Sequence, residues 1–218
     1  MLFILATLFG VLSGLTIGAV IGSEDLLGAI AAAGAAVPFA GVLDLLMASA
    51  IGGIAVALFP VMRRFDETLA IGYVAARVME AALIAVGAVA LMALLPVAQG
   101  AGDATDTASI AAVGAALRGL SSIAFAAGAT FFFSVSAIIL NALFLRTRLV
   151  PVWLSIWGLI GGALLLVSGL LGFLGVHTTA LEAALTLPIA LSEMVLAVWL
   201  IVRGFDVAAF STTARKGA

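Results

Sequence analysis

The sequence predicts an all-α fold, a polytopic transmembrane helix bundle with six spans and both termini in the cytoplasm. Hydrophobic residues make up 65% of the 218 residues and charged residues 9%, whereas soluble domains carry about 25% charged residues. Apolar runs recur along the chain, and each is long enough to cross a hydrocarbon core of about 30 Å. Basic residues gather in alternate connections between these runs. We therefore expect a single integral membrane domain over residues 1–218.

The limits of the spans follow from prolines and from the length of each apolar run. The first run is interpreted as a retained span because no Lys or Arg precedes Arg63, whereas a cleaved signal peptide begins with positive charge. Pro38 and Pro151 each open a span, where a missing backbone N–H is tolerated. Pro96 is expected to end the third span. The predicted spans cover residues 2–22, 38–62, 67–95, 120–145, 151–175 and 180–203.

Two apolar segments fit none of these spans. Residues 24–36 are too short and too rich in small side chains to cross a membrane. Residues 108–118 follow a polar loop. The sequence leaves open whether either segment forms a short helix lying at the membrane surface, and the alternative for the first segment is that it extends the second span.

The distribution of charge in the connections predicts the direction of insertion. The connections after the second, fourth and sixth spans contain the bases Arg63, Arg64, Arg146, Arg148, Arg203, Arg215 and Lys216. The other connections contain the acids Glu24, Asp25, Asp103 and Asp106, with Arg118 as one base at their edge. Because cytoplasmic loops are enriched in Lys and Arg, this pattern favours cytoplasmic termini and acidic outer loops.

Ionisable residues inside the apolar runs form the one candidate site. They are Asp44, Arg77, Glu80 and Glu193, and each buried charge costs at least ~2.5–3.5 kcal/mol unless it is paired or hydrated. Arg77 and Glu80 share one helical face, with Tyr73 one turn below Arg77. Glu193 lies at a matching depth in the sixth span. We expect a polar stripe on the third span that meets Glu193, and Asp44, which lies much nearer the outer face, is a further candidate member.

The charges of this cluster do not balance, since Arg77 can neutralise only one acid. We therefore expect at least one of Glu80 and Glu193 to be protonated at neutral pH. Three interpretations stay open. In the first, the cluster is architectural and fixes helix register. In the second, it is a ligand-binding or proton-exchange site in which Arg77 holds an anionic group. In the third, it belongs to an enzyme.

The sixth span contains Pro188, which removes a backbone donor and is expected to kink the helix. Glu182, Thr186, Ile189 and Glu193 share one face of this helix. The stripe is either a hydrated path toward Glu193 or a packing face with two polar interruptions.

Glycines that recur every four residues form two ridges, each of which allows another helix to approach closely. Their role is either packing inside the bundle or contact with another protein, in a homo-oligomer or a larger membrane complex. The ridges comprise Gly10, Gly14, Gly18 and Gly22 in the first span and Gly158 and Gly162 in the fifth.

Missing residue types exclude several classes of site. The chain has no cysteine, which excludes disulfides, Cys-ligated zinc and iron–sulfur clusters. Its one histidine, His177, is expected at the outer end of the fifth span without a ligand role. A net charge of −2 and the lack of a basic tract argue against a nucleic-acid partner. We expect no metal and no cofactor, and an enzyme is less expected than a binding or structural protein.

Three stretches resemble a known family. They are "LFPVMRRFDETLAIGYVAARVMEA" (58–81), "RLVPVWLSIWGLIGGALLLVSGLL" (148–171) and "LPIALSEMVLAVWLIVRGF" (187–205). With Arg77-x-x-Glu80, and with Pro188 and Glu193, they resemble a bacterial family of small six-span membrane proteins catalogued as a domain of unknown function. The resemblance runs from the second span onward and implies a multi-pass protein of the bacterial inner membrane. It implies no activity and no role for any residue.

Taken together, these features favour a protein surrounded by membrane lipids that binds or transports a small solute or lipid, with proton exchange at the acids. The alternative is a non-catalytic accessory or structural subunit that docks through its glycine ridges.

Overall fold

The structure is a computed structural model that describes residues 1–101, 107–176 and 179–206. All regular secondary structure within these ranges is helical. The sequence predictions that concern Asp103, Asp106, His177, Arg215 and Lys216 fall outside the described residues.

The prediction of six membrane-spanning helices is confirmed: six helices of the described chain are long and apolar enough to cross a membrane. A π-helical segment, Ala127–Phe132, joins α5 and α6 into one apolar helix, Thr107–Thr147, of 41 residues. The helices are α1 Leu2–Ile21, α2 Leu26–Ala33, α3 Ala36–Met62, α4 Glu67–Gly100, α5 Thr107–Ala126, α6 Phe133–Thr147, α7 Val152–Phe173 and α8 Thr179–Val202.

The bundle has two ends, each with its own core. α3 packs along α1 and α4, and α7 packs between α6 and α8. Because the number of spans is even, the start of α1 and the end of α8 share one end, here called the terminal end, where Phe3, Leu143 and Leu196 belong to one buried cluster. At the opposite, distal end, Ile30 of α2 packs with Leu94 of α4.

The helix α4 extends beyond the predicted end of the third span, through Pro96 to Gly100. A proline inside a helix removes one backbone donor, and its ring clashes with the carbonyl four residues earlier. Beyond it, Ala98 remains buried in the same distal cluster as Leu94 and Ile30. This packing explains why the helix continues for one more turn.

The two short segments behave differently from each other. Residues 24–36 contain the separate short helix α2, which the side chain of Asp25 caps by accepting a hydrogen bond from Gly28 N at 3.0 Å. Gly34, with a φ of 53°, separates α2 from α3. Residues 108–118, for which the sequence left a surface helix open, continue the fourth span as part of one helix. No proline interrupts it, and Gly114 lets it pack against Leu27 of α2.

The two predicted glycine ridges have different surroundings. In α7, a Cβ at Gly158 or Gly162 would collide with Asn141 or Ile138 of α6, and the neighbouring Gly161 lies against the backbone of Ile189 in α8. The α7 glycines therefore serve packing inside the bundle.

In α1 only the first glycine of the ridge is covered. A Cβ at Gly10 would overlap Met47 of α3, whereas Gly14 and Gly18 have open space around them. The remainder of this ridge faces outward from the bundle.

We predict that Gly161→Ala destabilises the protein, because its Cβ would lie 2.8 Å from the Cα of Ile189. Overpacking of this kind costs about 1–3 kcal/mol. The free energy of unfolding, measured with denaturant in mixed micelles, is expected to fall by this amount. The matched control is Gly18→Ala, which should leave stability unchanged or raise it by up to about 1 kcal/mol. Equal effects of the two substitutions would contradict the α7–α8 contact.

Candidate functional site

One stripe of α4 supplies most of the polar groups inside the bundle. Asp66 caps the start of this helix, and its side chain accepts a hydrogen bond from Leu69 N at 2.9 Å. Tyr73, Arg77 and Glu80 follow at spacings of four and three residues, which place them on one face. Arg77 is ten residues from the helix start, roughly 15 Å from the terminal end. All three side chains are buried.

The Arg77 guanidinium is the centre of this cluster and is held by two helices. Its Nε donates to the Tyr73 hydroxyl at 3.2 Å, and its Nη1 donates to both carboxylate oxygens of Glu80 at 3.1 Å. Its Nη2 donates to Oε1 of Glu193 in α8 at 3.4 Å. The structure thus brings together Tyr73, Arg77, Glu80 and Glu193, which we call the Arg–Glu cluster.

Three aromatic rings surround the same guanidinium. Its Cζ lies 5.9 Å from the ring centre of Phe3, 5.5 Å from that of Tyr73 and 5.1 Å from that of Phe133. These distances are within the range of cation–π attraction, which is stronger where water is excluded. The sequence does not single out Phe3 or Phe133, because a Phe in an apolar helix looks the same whether it faces lipid or an arginine.

A cavity of about 150 Å³ borders the Arg–Glu cluster. Its walls come from α1, α3, α4, α8 and the junction of the π segment with α6, and they include Arg77, Glu80 and Glu193. This volume has room for several water molecules. The side chain of Glu193 is 19% exposed and that of Glu80 only 4%. Glu193 Oε2 accepts no hydrogen bond from another described residue, so Glu193 is the acid available to a ligand in the cavity.

The Arg–Glu cluster carries an excess negative charge unless a further positive species is bound. Arg77 remains protonated, and the two carboxylates together carry one negative charge more than it supplies. In a low-dielectric interior such an excess is costly. A proton or a small cation at Glu193 would remove it, whereas an anion at Arg77 would have to displace one of the acids from the guanidinium.

Asp44, the remaining predicted member, does not contact the Arg–Glu cluster. It is buried between α1 and α3, and its Oδ1 has no hydrogen-bond partner among the described residues. Depth explains the separation: Asp44 lies 18 residues from the terminal end of α3 at Met62, roughly 27 Å. Arg77 lies only about 15 Å from that end.

The polar stripe on α8 is interrupted by an apolar plug. Glu182 and Thr186 line a second cavity, whereas Ile189 is buried. Ile189 packs with Ala137 and Leu165, and Phe133 lies against them. The predicted stripe is therefore a polar surface at the distal end, a packing contact in the middle and a cluster member at Glu193. The kink predicted at Pro188 stays a prediction.

The π-helical segment Ala127–Phe132 lies beside the cluster and was not foreseen. A Cβ at Gly128 would lie 2.9 Å from the backbone oxygen of Glu80, so a glycine is required for this close approach to α4. π-helical turns are rare and are frequent at functional sites. No local sequence signal distinguishes this turn from an ordinary α-helix of the same composition.

We predict that Arg77→Met lowers the free energy of unfolding by about 3–5 kcal/mol, because it leaves two buried acids without a cation. The matched control is Arg118→Met at an exposed position of α5, where a change within about 0.5 kcal/mol is expected. Adding Glu80→Gln and Glu193→Gln to Arg77→Met should recover part of the loss. An Arg77→Met protein as stable as the control would contradict the buried ion pair.

Comparison with known proteins identifies a family that matches this chain. Residues 1–204 match the family described as Domain of unknown function (DUF4386). No curated protein and no solved structure matches the chain. The family match starts at the first residue and so includes α1 and α2, which precede the stretches that carry the resemblance in sequence. It spans every helix described above, and the chain belongs to the DUF4386 family.

Proposed function

We propose that this protein binds a small cation in the cavity beside the Arg–Glu cluster and carries it across the membrane in exchange for a proton. The observation that carries the proposal is the cavity of about 150 Å³, which borders Arg77, Glu80 and Glu193. A purely architectural cluster would be dry, with every polar atom paired. Here Glu193 has a carboxylate oxygen beside open space that accepts no hydrogen bond from any described residue.

The exchange follows from the count of charges. With one proton on its two carboxyls, the cluster is neutral and stable in hydrocarbon. After the proton leaves, the cluster carries one negative charge, and a cation of matching charge can replace the proton at Glu193. The site is therefore stable when either the proton or the cation is bound, and it is destabilised by its uncompensated charge when both are absent. Such competition for one carboxylate couples the movement of the solute to that of the proton.

The setting of this activity is part of the proposal. The six apolar helices indicate a multi-pass membrane protein, and we infer the inner membrane of a bacterium, with both termini in the cytoplasm. Arg63, Arg146 and Arg203 lie at the terminal end of the described chain, which supports this direction of insertion.

We predict that Glu193→Gln abolishes cation–proton exchange. Proteoliposomes would be loaded with tetramethylammonium or guanidinium, which keep their charge and do not cross lipid as neutral bases. An outward gradient of either cation should then acidify the interior, as reported by enclosed pyranine. Glu193→Gln should slow this acidification by about tenfold or more, because the amide cannot exchange a proton.

The matched control for this prediction is Glu67→Gln, at an exposed position in the first turn of α4, which should exchange like the unchanged protein. Infrared spectra supply a second readout, since a protonated carboxyl band at pH 7 should disappear in Glu193→Gln or Glu80→Gln. The proposal fails if the unchanged protein acidifies liposomes no faster than empty ones with both cations.

A second candidate function is that of a structural or accessory subunit. The observation that favours it is the outward face of α1, where Gly14 and Gly18 have open space around them. Such a glycine face allows close approach of another transmembrane helix, from a second copy or from a larger complex.

For this second candidate we predict that Gly14→Cys forms a disulfide-linked dimer under mild oxidation in membranes, if the partner is a second copy. The chain has no other cysteine, so any link arises at this position. The control is Val56→Cys on the exposed face of α3, which should stay monomeric. Equal linking at both positions would indicate random collision and would contradict a specific α1 interface.

A further inference from the structure

A second, larger cavity lies in the distal half of the bundle. Its volume is about 600 Å³, within the range of small-molecule sites. It lies between α5, α7 and α8, and the π segment forms its inner end. We call this cavity the vestibule. Its polar lining consists of Ser122, Thr130, Ser168, Glu182 and Thr186.

A helical hydroxyl inside a membrane is often satisfied by a carbonyl three or four residues earlier in its own helix. Seven hydroxyls of the described chain make this bond, those of Thr7, Thr16, Ser49, Ser134, Ser136, Thr147 and Ser192. Ser13 and Ser121 instead donate to a carbonyl of another helix, and the buried hydroxyl of Ser155 has no partner among the described residues. No side-chain hydroxyl of the vestibule makes a hydrogen bond to any residue that the structure describes.

Hydroxyls without partners are costly in hydrocarbon, by about 2–7 kcal/mol each. The four vestibule hydroxyls therefore require water or a polar ligand, and a vestibule filled with lipid chains would leave all of them unpaired. Their arrangement on three helices around one space indicates a hydrated site rather than a gap at the lipid surface.

The charge of the lining indicates which ligand the vestibule fits. Glu182, in the first turn of α8, is the one ionisable side chain among the described lining residues. Ile123 and Phe173 supply apolar and aromatic surface, and an aromatic face attracts a cation. One carboxylate, several hydroxyls and apolar walls together match a small organic cation and reject an anion.

A thin apolar layer separates the vestibule from the Arg–Glu cluster. Along α8 the order is Thr186 in the vestibule, Ile189 in the plug and Glu193 in the cluster. On the other side, Phe133 packs against the plug and also lines the smaller cavity. One layer of side chains thus divides the two cavities.

We propose that the vestibule is the entry site for the small organic cation, which binds there before it passes Ile189 to reach Glu193. This inference rests on the proposed exchange and adds to it the class of solute and the side of entry. Glu182 attracts the cation, the hydroxyls replace part of its hydration, and movement of Ile189 opens the way to the cluster.

Cysteine labelling tests the vestibule, since the chain has no native cysteine. Thr186→Cys in nanodiscs would be treated with a cationic and an anionic methanethiosulfonate reagent. We expect the cationic reagent to react about tenfold faster, because a nearby carboxylate concentrates cations, and Glu182→Gln should remove this preference. The control is Leu187→Cys, an exposed neighbour that does not line the vestibule. It should react slowly with both reagents, because a thiolate does not form in lipid.

Protection supplies the ligand test. Tetramethylammonium should slow the labelling of Thr186→Cys by about threefold or more, acetate should not, and Glu182→Gln should abolish the protection. If Thr186→Cys is as unreactive as Leu187→Cys, the vestibule holds lipid chains and the proposal is overturned. Equal rates with the two reagents overturn the cation preference.

The entry role is tested separately from the exchange itself. Glu182→Gln should slow tetramethylammonium–proton exchange in proteoliposomes while leaving the infrared band of the cluster unchanged. If exchange is unaffected although the labelling preference is lost, the vestibule is not the entry. Absence of exchange in the unchanged protein, with labelling and protection as expected, would overturn the proposed function and leave the cation site in place.

Discussion

The arrangement of this bundle depends on one interaction, the guanidinium of Arg77 shared between Glu80 and Glu193. A lone arginine at this depth would cost several kcal/mol, so α4 and α8 must present their acids to it from two sides. Three rings and the Tyr73 hydroxyl complete the enclosure. The interaction therefore determines the rotation of α4 and α8 about their axes. The contact of the Phe133 ring with the guanidinium fixes the rotation of α6 in the same way.

Small residues determine how closely the other helices approach this pair. Gly128 lets the π segment approach the backbone of Glu80, and Gly161 lets α8 approach α7 at Ile189. Lipid offers no hydrophobic drive for such contacts, so close backbone packing has to replace it. The contact at Gly161 holds the middle of α8, while its distal part borders the vestibule. The wide distal cavity and the narrow cavity at the cluster follow from this geometry.

Polar groups without partners indicate where a membrane protein meets something other than itself. Seven hydroxyls of the described chain are satisfied within their own helix, and their role is structural. Four hydroxyls without a partner among the described residues gather in one cavity, while that of Ser155 is buried elsewhere in α7. The other cavity borders Glu193, which has an oxygen that accepts no hydrogen bond from a described residue. Both cavities are lined by more negative than positive charge. A cation-binding role is consistent with this distribution, and the family description names no activity against which to compare it.

The sequence by itself determined the six spans, because apolar length decides which segments cross a membrane. It also determined that Tyr73, Arg77 and Glu80 share a face, because the helical repeat places residues three and four apart together. Counting residues from the helix ends placed Glu193 at the level of Arg77. Each of these results depends on local spacing alone.

The tertiary structure decided everything that depends on the rotation and contacts of whole helices. It separated Asp44 from the cluster, added Phe3 and Phe133 to it, and divided the α8 stripe at Ile189. It made residues 108–118 the continuation of the fourth span, with Gly114 against Leu27 of α2, and carried α4 past Pro96, where Ala98 is buried in the distal cluster. The amino-acid sequence indicates which face of a helix is polar. It does not indicate which neighbouring helix covers that face, because this depends on the packing of all helices together.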